Sequence, residues 1–326
     1  MKWLSDQVVD QLRANLGFPD LSGTRYRAVR LLARGGMAAV WLAEDTVLHR
    51  QVALKVLDLA DGKDDLAARL LREADILASL EHPGIVPVHD AGTLADGRVF
   101  CCMKYVQGET LEQHVRRLGS TSEALRLILR IAEPLAFAHS HGVLHRDLKP
   151  GNTMIGPFGE VLVMDWGLAK RIELASAATA PPLAIHPEAG HSTNPPATGV
   201  VGTPGFMSPE QERGDAASPR SDVFSLGAVM AFTLAHTAPK NAFRSLPRPL
   251  RSICGKAMAA NPALRYESVE ALAADISRYL EQMPVSAYRE NVLERSVRLM
   301  HRHATAIVLV LAYLFMRGLF ILFAKR

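Results

Sequence analysis

The run His145-Arg146-Asp147-Leu148-Lys149-Pro150-Gly151-Asn152 constrains this chain more than any other stretch of it. Within the run a carboxylate is followed by a cation and then by an amide, and Asp165-Trp166-Gly167 adds a second carboxylate downstream. A polar turn between two strands requires no such combination of functional groups. Chance rarely produces the octet, so the sequence indicates a reactive site rather than a simple connection.

The octet resembles the catalytic loop of protein kinases, and a lysine two residues after the aspartate is typical of the serine/threonine form. Phosphoryl transfer requires from a protein mainly positioning and charge stabilisation. On this resemblance Asp147 would accept the proton of the substrate hydroxyl, and Lys149 would neutralise charge on the moving phosphate. Asn152 and Asp165 would hold magnesium. Trp166 replaces the usual phenylalanine and is expected to be a larger apolar plug.

Two residues upstream fit the same reaction. Val52-Ala53-Leu54-Lys55 alternates like a half-buried strand and resembles the kinase strand whose lysine grips the α- and β-phosphates. Glu73 lies in Leu66–Leu80, where apolar residues recur at helical spacing. Alone, Glu73 would be a solvated helix charge; its place between Lys55 and residues 82–86 favours an ion pair with Lys55.

The resemblance also implies a nucleotide pocket that departs from the family pattern. Three glycines normally let the first hairpin approach the phosphates. Here Ala33 and Ala38 replace the outer two, and only Gly35 keeps a family position. The hairpin should survive, although a positive φ at either alanine would be costly. Met103 would guard the back of the adenine pocket or, alternatively, be ordinary strand core. The residues assigned to ATP are Leu32, Ala33, Arg34, Gly35, Gly36, Met37, Ala38, Val40, Ala53, Lys55, Met103, Tyr105 and Val106.

Downstream motifs resemble the end of a kinase activation segment and the helix that follows it. Gly202-Thr203-Pro204 implies that Thr203 holds the catalytic loop by hydrogen bonding. Ser208-Pro209-Glu210 implies an ion pair between Glu210 and Arg265, and residues 222–227 resemble the start of the central helix. Residues 235–249 are too few for the further helix that kinases generally place there, which puts protein-substrate docking in doubt more than chemistry.

Residues 173–199 are rich in alanine, proline, serine and threonine, which predicts a mobile loop. In the family, the arginine before the catalytic aspartate, here Arg146, pairs with a phosphate on this loop. The sequence therefore predicts a switch by autophosphorylation, with Thr198 the better candidate and Ser192 and Thr193 behind it. The alternative is a passive, solvated loop that merely tolerates modification.

Composition agrees with a two-lobed globular enzyme. The 326 residues can bury a large core, and 48% of them are hydrophobic, which argues against global disorder. A net charge of +4, without a basic motif, gives no reason to expect nucleic-acid binding. Cys101, Cys102 and Cys254 are expected to be buried thiols in a reducing compartment, with no zinc site.

In the N-terminal extension, residues 1–25, the stretch from Met1 to Gly23 has no long apolar run and no cleavage-site pattern, so we do not expect it to be a secretory signal. Its apolar spacing suggests a short amphipathic helix that caps the small lobe or, alternatively, binds a partner. The residues that give this spacing are Trp3, Leu4, Val8, Leu12 and Leu16.

The C-terminal tail carries the prediction of localisation. Residues 304–324 have about the length of a helix that crosses a hydrocarbon core. Arg317 costs about 2.5–3.5 kcal/mol on insertion scales, which its position near the far end and the apolar neighbours should offset. Basic residues in the juxtamembrane segment, 283–303, favour the cytoplasmic side for the preceding lobes. The alternative is a hydrophobic helix packed on the protein or against a second copy, as in a dimer.

The whole resembles the bacterial eukaryotic-like (Hanks-type) serine/threonine protein kinases, in a membrane-anchored branch with an Asp-Trp-Gly motif. The implied fold is α+β and bilobal, with a small antiparallel-sheet lobe at 26–106 and a mostly helical lobe at 107–282. The implied cofactors are ATP and Mg²⁺, with Mn²⁺ as an alternative ion. The implied substrates are serine or threonine hydroxyls of proteins, including this chain itself, with the enzyme held at the cell inner membrane by a single span.

Two rival functions remain open at the level of sequence. The first is a pseudokinase that binds nucleotide as a signalling scaffold; Ala33, Ala38 and the short 235–249 stretch favour it. The complete set of phosphate, metal and base residues argues against it. The second is a metabolite kinase of similar fold, against which Gly202-Thr203-Pro204 speaks, because this motif is a feature of kinases with protein substrates.

Overall fold

The computed structural model describes residues 18–35, 38–57, 64–166, 170–171, 205–237, 243–291, 294–295, 308–310 and 312–317. Strands in this part of the chain fall into a small N-terminal lobe and short ribbons of the second lobe. They are β1 (Tyr26–Arg34), β2 (Ala38–Asp45), β3 (Arg50–Leu57), β4 (Val88–Thr93), β5 (Val99–Lys104), β6 (Glu109–Thr110), β7 (Val143–Leu144), β8 (Thr153–Ile155), β9 (Val161–Val163) and β10 (Lys170–Arg171).

Among the described helices, one belongs to the small lobe and the others to the large lobe. The helices are α1 (Asp64–Ala78), α2 (Leu111–His114), α3 (Thr121–Ser140), α4 (Pro209–Glu212), α5 (Pro219–Thr237), α6 (Arg248–Ala257) and α7 (Val269–Leu280). Short 3₁₀ turns lie at Val115–Arg117, Pro150–Asn152, Phe243–Ser245 and Pro262–Leu264.

The small lobe is an antiparallel sheet of five strands in the order β1-β2-β3-β5-β4 within the described residues. Side chains alternate between the faces of a strand, so Val52, Leu54 and Val56 of β3 are fully buried beneath one face. Phe18 extends that face, with its ring centroid 4.4 Å from that of Trp41. Ala53 and Lys55 occupy the opposite face, which places Lys55 on the side of the sheet that α1 covers.

The large lobe is built around α3 and α5. Helix α5 is apolar on all sides rather than on one stripe, which is typical of a helix surrounded by protein. Its Gly227 allows a close approach of α6, because a Cβ at this position would lie 2.6 Å from the Cβ of Ala257. Leu226 and Val229 of α5 share one core with Leu125 and other residues of α3. The bilobal fold, with an antiparallel sheet in one lobe and helices in the other, is therefore confirmed.

A buried ion pair joins Glu210 of α4 to Arg265, which follows the 3₁₀ turn at Pro262–Leu264. The Arg265 guanidinium donates to both carboxylate oxygens of Glu210, with Nη1–Oε1 and Nη2–Oε2 distances of 2.6 and 2.7 Å. Further bonds from Arg265 reach backbone carbonyls, and Ser221 Oγ donates to Glu210 Oε1. Burial opposes ionisation of Glu210, but these donors lower its pKa to about 2. The predicted pair is thus present and has its partners satisfied.

Other predictions meet the structure in different ways. All three cysteines are free and buried, as expected. The described part of 235–249 holds the end of α5, the 3₁₀ turn at Phe243–Ser245 and the start of α6. Residues 1–17 and the loop at 173–199 lie outside the described residues.

The predicted span at 304–324 is described only at residues 308–310 and 312–317, which are helical. Within the described residues, no helix has both the length and the apolar character needed to cross a bilayer.

Substitution Arg265→Met should destabilise the fold by about 3–5 kcal/mol, because it leaves the Glu210 carboxylate buried without its counter-charge. The control Arg213→Ala removes an exposed pair with Asp215 and should cost no more than about 0.5 kcal/mol. Denaturant unfolding at pH 7 measures both free energies of unfolding. A loss for Arg265→Met as small as that of the control would contradict the assignment.

The same pair predicts an acid dependence of stability. Folding lowers the pKa of Glu210 from 4.5 to about 2, so the folded state binds this proton less readily than the unfolded state. The contribution of ionised Glu210 to the free energy of unfolding is therefore complete above about pH 4.5, and it is lost as the pH falls toward 2.

Candidate active site

Lys55 and Glu73 form an ion pair between β3 and α1. Lys55 Nζ lies 3.0 Å from Glu73 Oε1 and 2.9 Å from Oε2, and the Glu73 side chain is only 6% exposed. The pair links α1 to the sheet, and apolar packing supports the same contact. Leu70 and Ala74 of α1 are buried in one cluster with Ala53 of β3. The sequence indicated this pairing, and the structure brings the two residues together.

Asp165 completes a triad of charges in the cleft between the lobes. Its Oδ1 lies 3.0 Å from Lys55 Nζ, and its side chain is 48% exposed. Burial disfavours the ammonium of Lys55, but Glu73 and Asp165 together raise its pKa above the ordinary value. Burial likewise opposes ionisation of Asp165, but Lys55 holds the pKa of that carboxyl below its ordinary value. Lys55 and Asp165 are therefore charged at neutral pH.

The catalytic-loop residues surround Asp147. Lys149 Nζ donates to Asp147 Oδ2 at 2.9 Å. Asn152 Nδ2 donates to the same carboxylate oxygen at 3.1 Å and to the Asp147 carbonyl at 2.8 Å. Two donors from residues two and five positions downstream thus hold the carboxylate, which explains why the loop needs these residue types at this spacing.

The backbone before Asp147 is held by a buried carboxylate from α5. Asp222 Oδ2 accepts from the N–H of His145 at 2.9 Å, and Asp222 Oδ1 accepts from the N–H of Arg146 at 2.8 Å. His139 Nε2 lies 2.8 Å from the same Oδ2. Arg146 has a φ of 69°, which is unfavourable for a residue with a side chain. Asp222 therefore stabilises a strained turn that presents Asp147.

His145 connects this turn to the segment that follows β9, directly before Asp165. Its Nε2 lies 3.0 Å from the Met164 carbonyl and must carry the proton, so its Nδ1 accepts from the Asp147 N–H at 3.2 Å. Burial lowers the pKa of His145, which keeps the ring neutral and Nδ1 an acceptor. The ring also lies 4.6 Å from that of Trp166, which is fully buried as the predicted apolar plug and donates Nε1 to the Val163 carbonyl.

Several of the residues predicted to contact adenine lie in one apolar cluster. Ala53, Met103 and Val106 are buried members of it, and Leu32, Val40 and Tyr105 pack against it. Met154 and Met164 also contact the cluster from the large lobe, and sequence reasoning missed them. Their signal was positional: Met154 follows Asn152 by two residues, and Met164 directly precedes Asp165.

The hairpin between β1 and β2 tolerates its alanines. Ala33 pairs with Val40 and Ala38 with Leu57 in extended strands, and neither alanine has a positive φ. The Gly35 N–H donates to the Ala38 carbonyl at 2.8 Å, which closes the hairpin.

The anticipated cost of alanine at the two glycine positions is therefore absent. Arg34 is exposed at the end of β1, whereas Gly36 and Met37 lie outside the described residues. Thr203 also lies outside them, so its predicted contact with the catalytic loop stays a prediction.

The donor set at the cleft fits a hard divalent cation. Asn152 directs its amide nitrogen to Asp147, which turns its amide oxygen away from that residue. Asp165 offers a partly exposed, ionised carboxylate. Carboxylate and amide oxygens are ligands that Mg²⁺ accepts, and Mg²⁺ usually takes few protein ligands besides substrate phosphates. Within the described residues, no group of three or more His, Cys, Asp or Glu side chains forms a metal site made of protein alone.

Comparison with known proteins agrees with this geometry. Residues 26–283 match the protein kinase domain family, and the chain belongs to that family. Serine/threonine-protein kinase PknD of Protochlamydia amoebophila is 33% identical over 312 residues, which cover 83% of this chain and 31% of PknD. Probable serine/threonine-protein kinase PknB of Bifidobacterium longum is 34% identical over 300 residues, which cover 82% of this chain and 41% of PknB. The chain thus spans less than half the length of these relatives.

A solved structure shows the same architecture. The crystal structure of the Mycobacterium tuberculosis PknI kinase domain superposes with a TM-score of 0.56 at 27% identity. The match covers 78% of this chain and 95% of the PknI domain.

Proposed function

We propose that this chain is a protein serine/threonine kinase that transfers the γ-phosphate of ATP to protein hydroxyls. The single observation that carries the proposal is the ordered charge set of the cleft. Lys55 is paired with Glu73 and Asp165, and Asp147 is held by Lys149 and Asn152. The names of the relatives PknD and PknB support the serine/threonine specificity.

The residues divide the reaction between them. Asp147 orients the substrate hydroxyl and accepts its proton, and the ammonium of Lys149 offsets negative charge on the group being transferred. Lys55, fixed by Glu73, positions the α- and β-phosphates of the nucleotide. Asp165 and Asn152 would hold Mg²⁺, which supplies charge neutralisation on the phosphates.

Substitution Asp147→Asn should reduce kcat by about 10²–10⁴-fold, because general-base catalysis contributes about that much. The affinity for ATP should stay nearly unchanged, since Asp147 is not a nucleotide contact. Phosphate transfer from labelled ATP-Mg²⁺ measures the rate, and calorimetry measures nucleotide binding. The matched control is Asp215→Asn, which makes the same change at an exposed carboxylate and should leave both quantities as in the wild type.

A second variant separates the roles of the two aspartates. Asp165→Ala should abolish the part of ATP binding that depends on magnesium, which calorimetry with and without the ion detects. If wild type and Asp147→Asn are equally inert with every protein tested and with themselves, the chain is a pseudokinase. Ala33 and Ala38 do not favour that alternative once their backbone is seen to be extended.

We propose further that autophosphorylation of the loop between Asp165 and Glu210 switches the activity. Arg146 directly precedes Asp147 in a turn fixed by Asp222, so a phosphate paired with Arg146 would act close to the base. The triple variant Ser192/Thr193/Thr198→Ala should lower the rate, and mass spectrometry after incubation with ATP-Mg²⁺ should find phosphate on the wild-type loop. An unchanged rate, with no phosphate between residues 166 and 209, would refute the switch.

We also propose that the tail places the enzyme at the inner membrane by a single span, with the kinase lobes in the cytoplasm. Apolar side chains in the described helical pieces are each more than half exposed, and such a surface requires a cover. They are Val308, Leu309, Val310, Tyr313, Leu314, Phe315 and Met316. The bilayer is favoured as cover by the apolar length of 304–324 and by the arginines that precede it.

Deletion of residues 304–326 should give a soluble protein that keeps its kinase activity, because no residue of the cleft lies in the tail. Cell fractionation followed by detergent extraction compares it with the full chain. A full chain that stays soluble without detergent would contradict the anchor. If it is then also dimeric by light scattering, the tail pairs with a second copy instead.

A further inference from the structure

Gln211 is a buried glutamine at the end of the activation-segment region, and the proposed chemistry does not use it. It is the third residue of α4, and its side chain forms a capping box with Ser208. Gln211 Oε1 accepts from Ser208 Oγ at 2.8 Å and from the Ser208 N–H at 3.3 Å. Only 6% of the residue is exposed. These bonds use the amide oxygen and leave its amide nitrogen for a second contact.

That second contact reaches the catalytic loop. Gln211 Nε2 donates to the carbonyl of Arg146 at 2.8 Å. This carbonyl belongs to the peptide group that joins Arg146 to Asp147, and the N–H of the same peptide donates to His145 Nδ1. Gln211 and His145 therefore hold the two ends of one peptide group, directly before the proposed base.

The backbone at Arg146 makes this support necessary. Its φ of 69° lies in the left-handed region, which is unfavourable for residues other than glycine unless surrounding bonds hold it there. Asp222 fixes the N–H side of Arg146, and Gln211 fixes the carbonyl side. Without a donor, a carbonyl at this place would lose its hydrogen bond, and rotation of the peptide would displace Asp147.

We propose that Gln211 is a positioning residue that orients Asp147 through the Arg146–Asp147 peptide. Through this contact, the position of α4 determines the orientation of the proposed base, Asp147. Glu210, the neighbour of Gln211, is held by two bonds from Arg265, which fixes the position of α4. Gln211 then connects this fixed helix to the catalytic loop. This inference rests on the proposed kinase function and adds a residue that acts through another.

Substitution Gln211→Glu isolates the donor role, because Glu serves the capping box as well as Gln does. The carboxylate keeps the acceptor for Ser208 but, when ionised, cannot donate to the Arg146 carbonyl and repels it. We expect kcat to fall tenfold or more at pH 7.5, with the KM for ATP and the Tm close to wild type. A merely structural role predicts no loss of rate, since the cap is retained.

The pH profile gives a second readout. Protonation turns the introduced carboxyl into a donor, so the kcat of Gln211→Glu relative to wild type should rise as the pH falls. Wild type must be measured at every pH, because the proposed base titrates as well. A defect of constant size across the pH range, together with a lowered Tm, would overturn the positioning role.

The chain offers a matched control at Gln113. This residue is also the third residue of a capping box, in α2, where its Oε1 accepts from the Thr110 N–H at 3.2 Å. Gln113→Glu makes the same change of charge in the same local setting but far from the Arg146 carbonyl in the chain. It should keep kcat within about twofold of wild type.

A second Gln211 variant tests the same contact if Gln211→Glu does not fold. Gln211→Met removes donor and acceptor without adding charge, and its kcat should also fall, but with no recovery at low pH. If wild type is active and both Gln211 variants match it in kcat, the inference is wrong and the proposed function stands. If wild type itself transfers no phosphate, the proposed function fails and the inference falls with it.

Discussion

The active geometry depends on one buried carboxylate, that of Asp222. It lies on α5, the helix that the large lobe surrounds, and it accepts the consecutive backbone N–H groups of His145 and Arg146. Burial alone would raise the pKa of this carboxyl, but His139 and the N–H donors hold it below the ordinary value. An ionised carboxylate inside a core is stable only when its donors are supplied in full. The catalytic loop supplies them, so the core and the loop stabilise each other.

A series of short contacts connects Asp222 to the rest of the cleft. His145 is fixed at its N–H by Asp222, and its ring bridges the Met164 carbonyl and the N–H of Asp147. Trp166 packs on the same ring and shares the large-lobe core with Leu77 of α1. Glu73 precedes Leu77 by one helical turn, which places both side chains on one face. The orientation of α1, and hence of the Lys55–Glu73 pair, is therefore tied to the same ring that contacts the backbone of the proposed base, Asp147.

The sequence predicted those parts of the site that lie in motifs resembling the protein kinase family. This resemblance implied the charge set around Asp147 and the pair between Glu210 and Arg265. The contacts of Gln211 and Met154 could not be read in this way. A glutamine after a proline and a glutamate is an ordinary helix cap, and only the fold brings its nitrogen to a carbonyl 65 positions earlier in the chain. The two lobes were expected from the chain length and from the family resemblance, whereas the extended backbone at the alanines of the first hairpin is visible only in the folded structure.

The departures from the family pattern, such as Ala33 and Trp166, lie at positions where mainly the size of the side chain changes. The residues that carry a charge in the cleft, such as Lys55, are retained. Ala33 lies in an extended strand, where a methyl group costs little, and Trp166 fills the place of a smaller ring with a bond of its own to Val163. Lys55 contacts the carboxylates of both Glu73 and Asp165, and its charge lowers the pKa of Asp165. The same reasoning explains the short 235–249 stretch. The residues proposed to handle phosphate lie outside this stretch. Its shortness is therefore expected to affect the surface available to a protein substrate rather than the phosphate-handling residues.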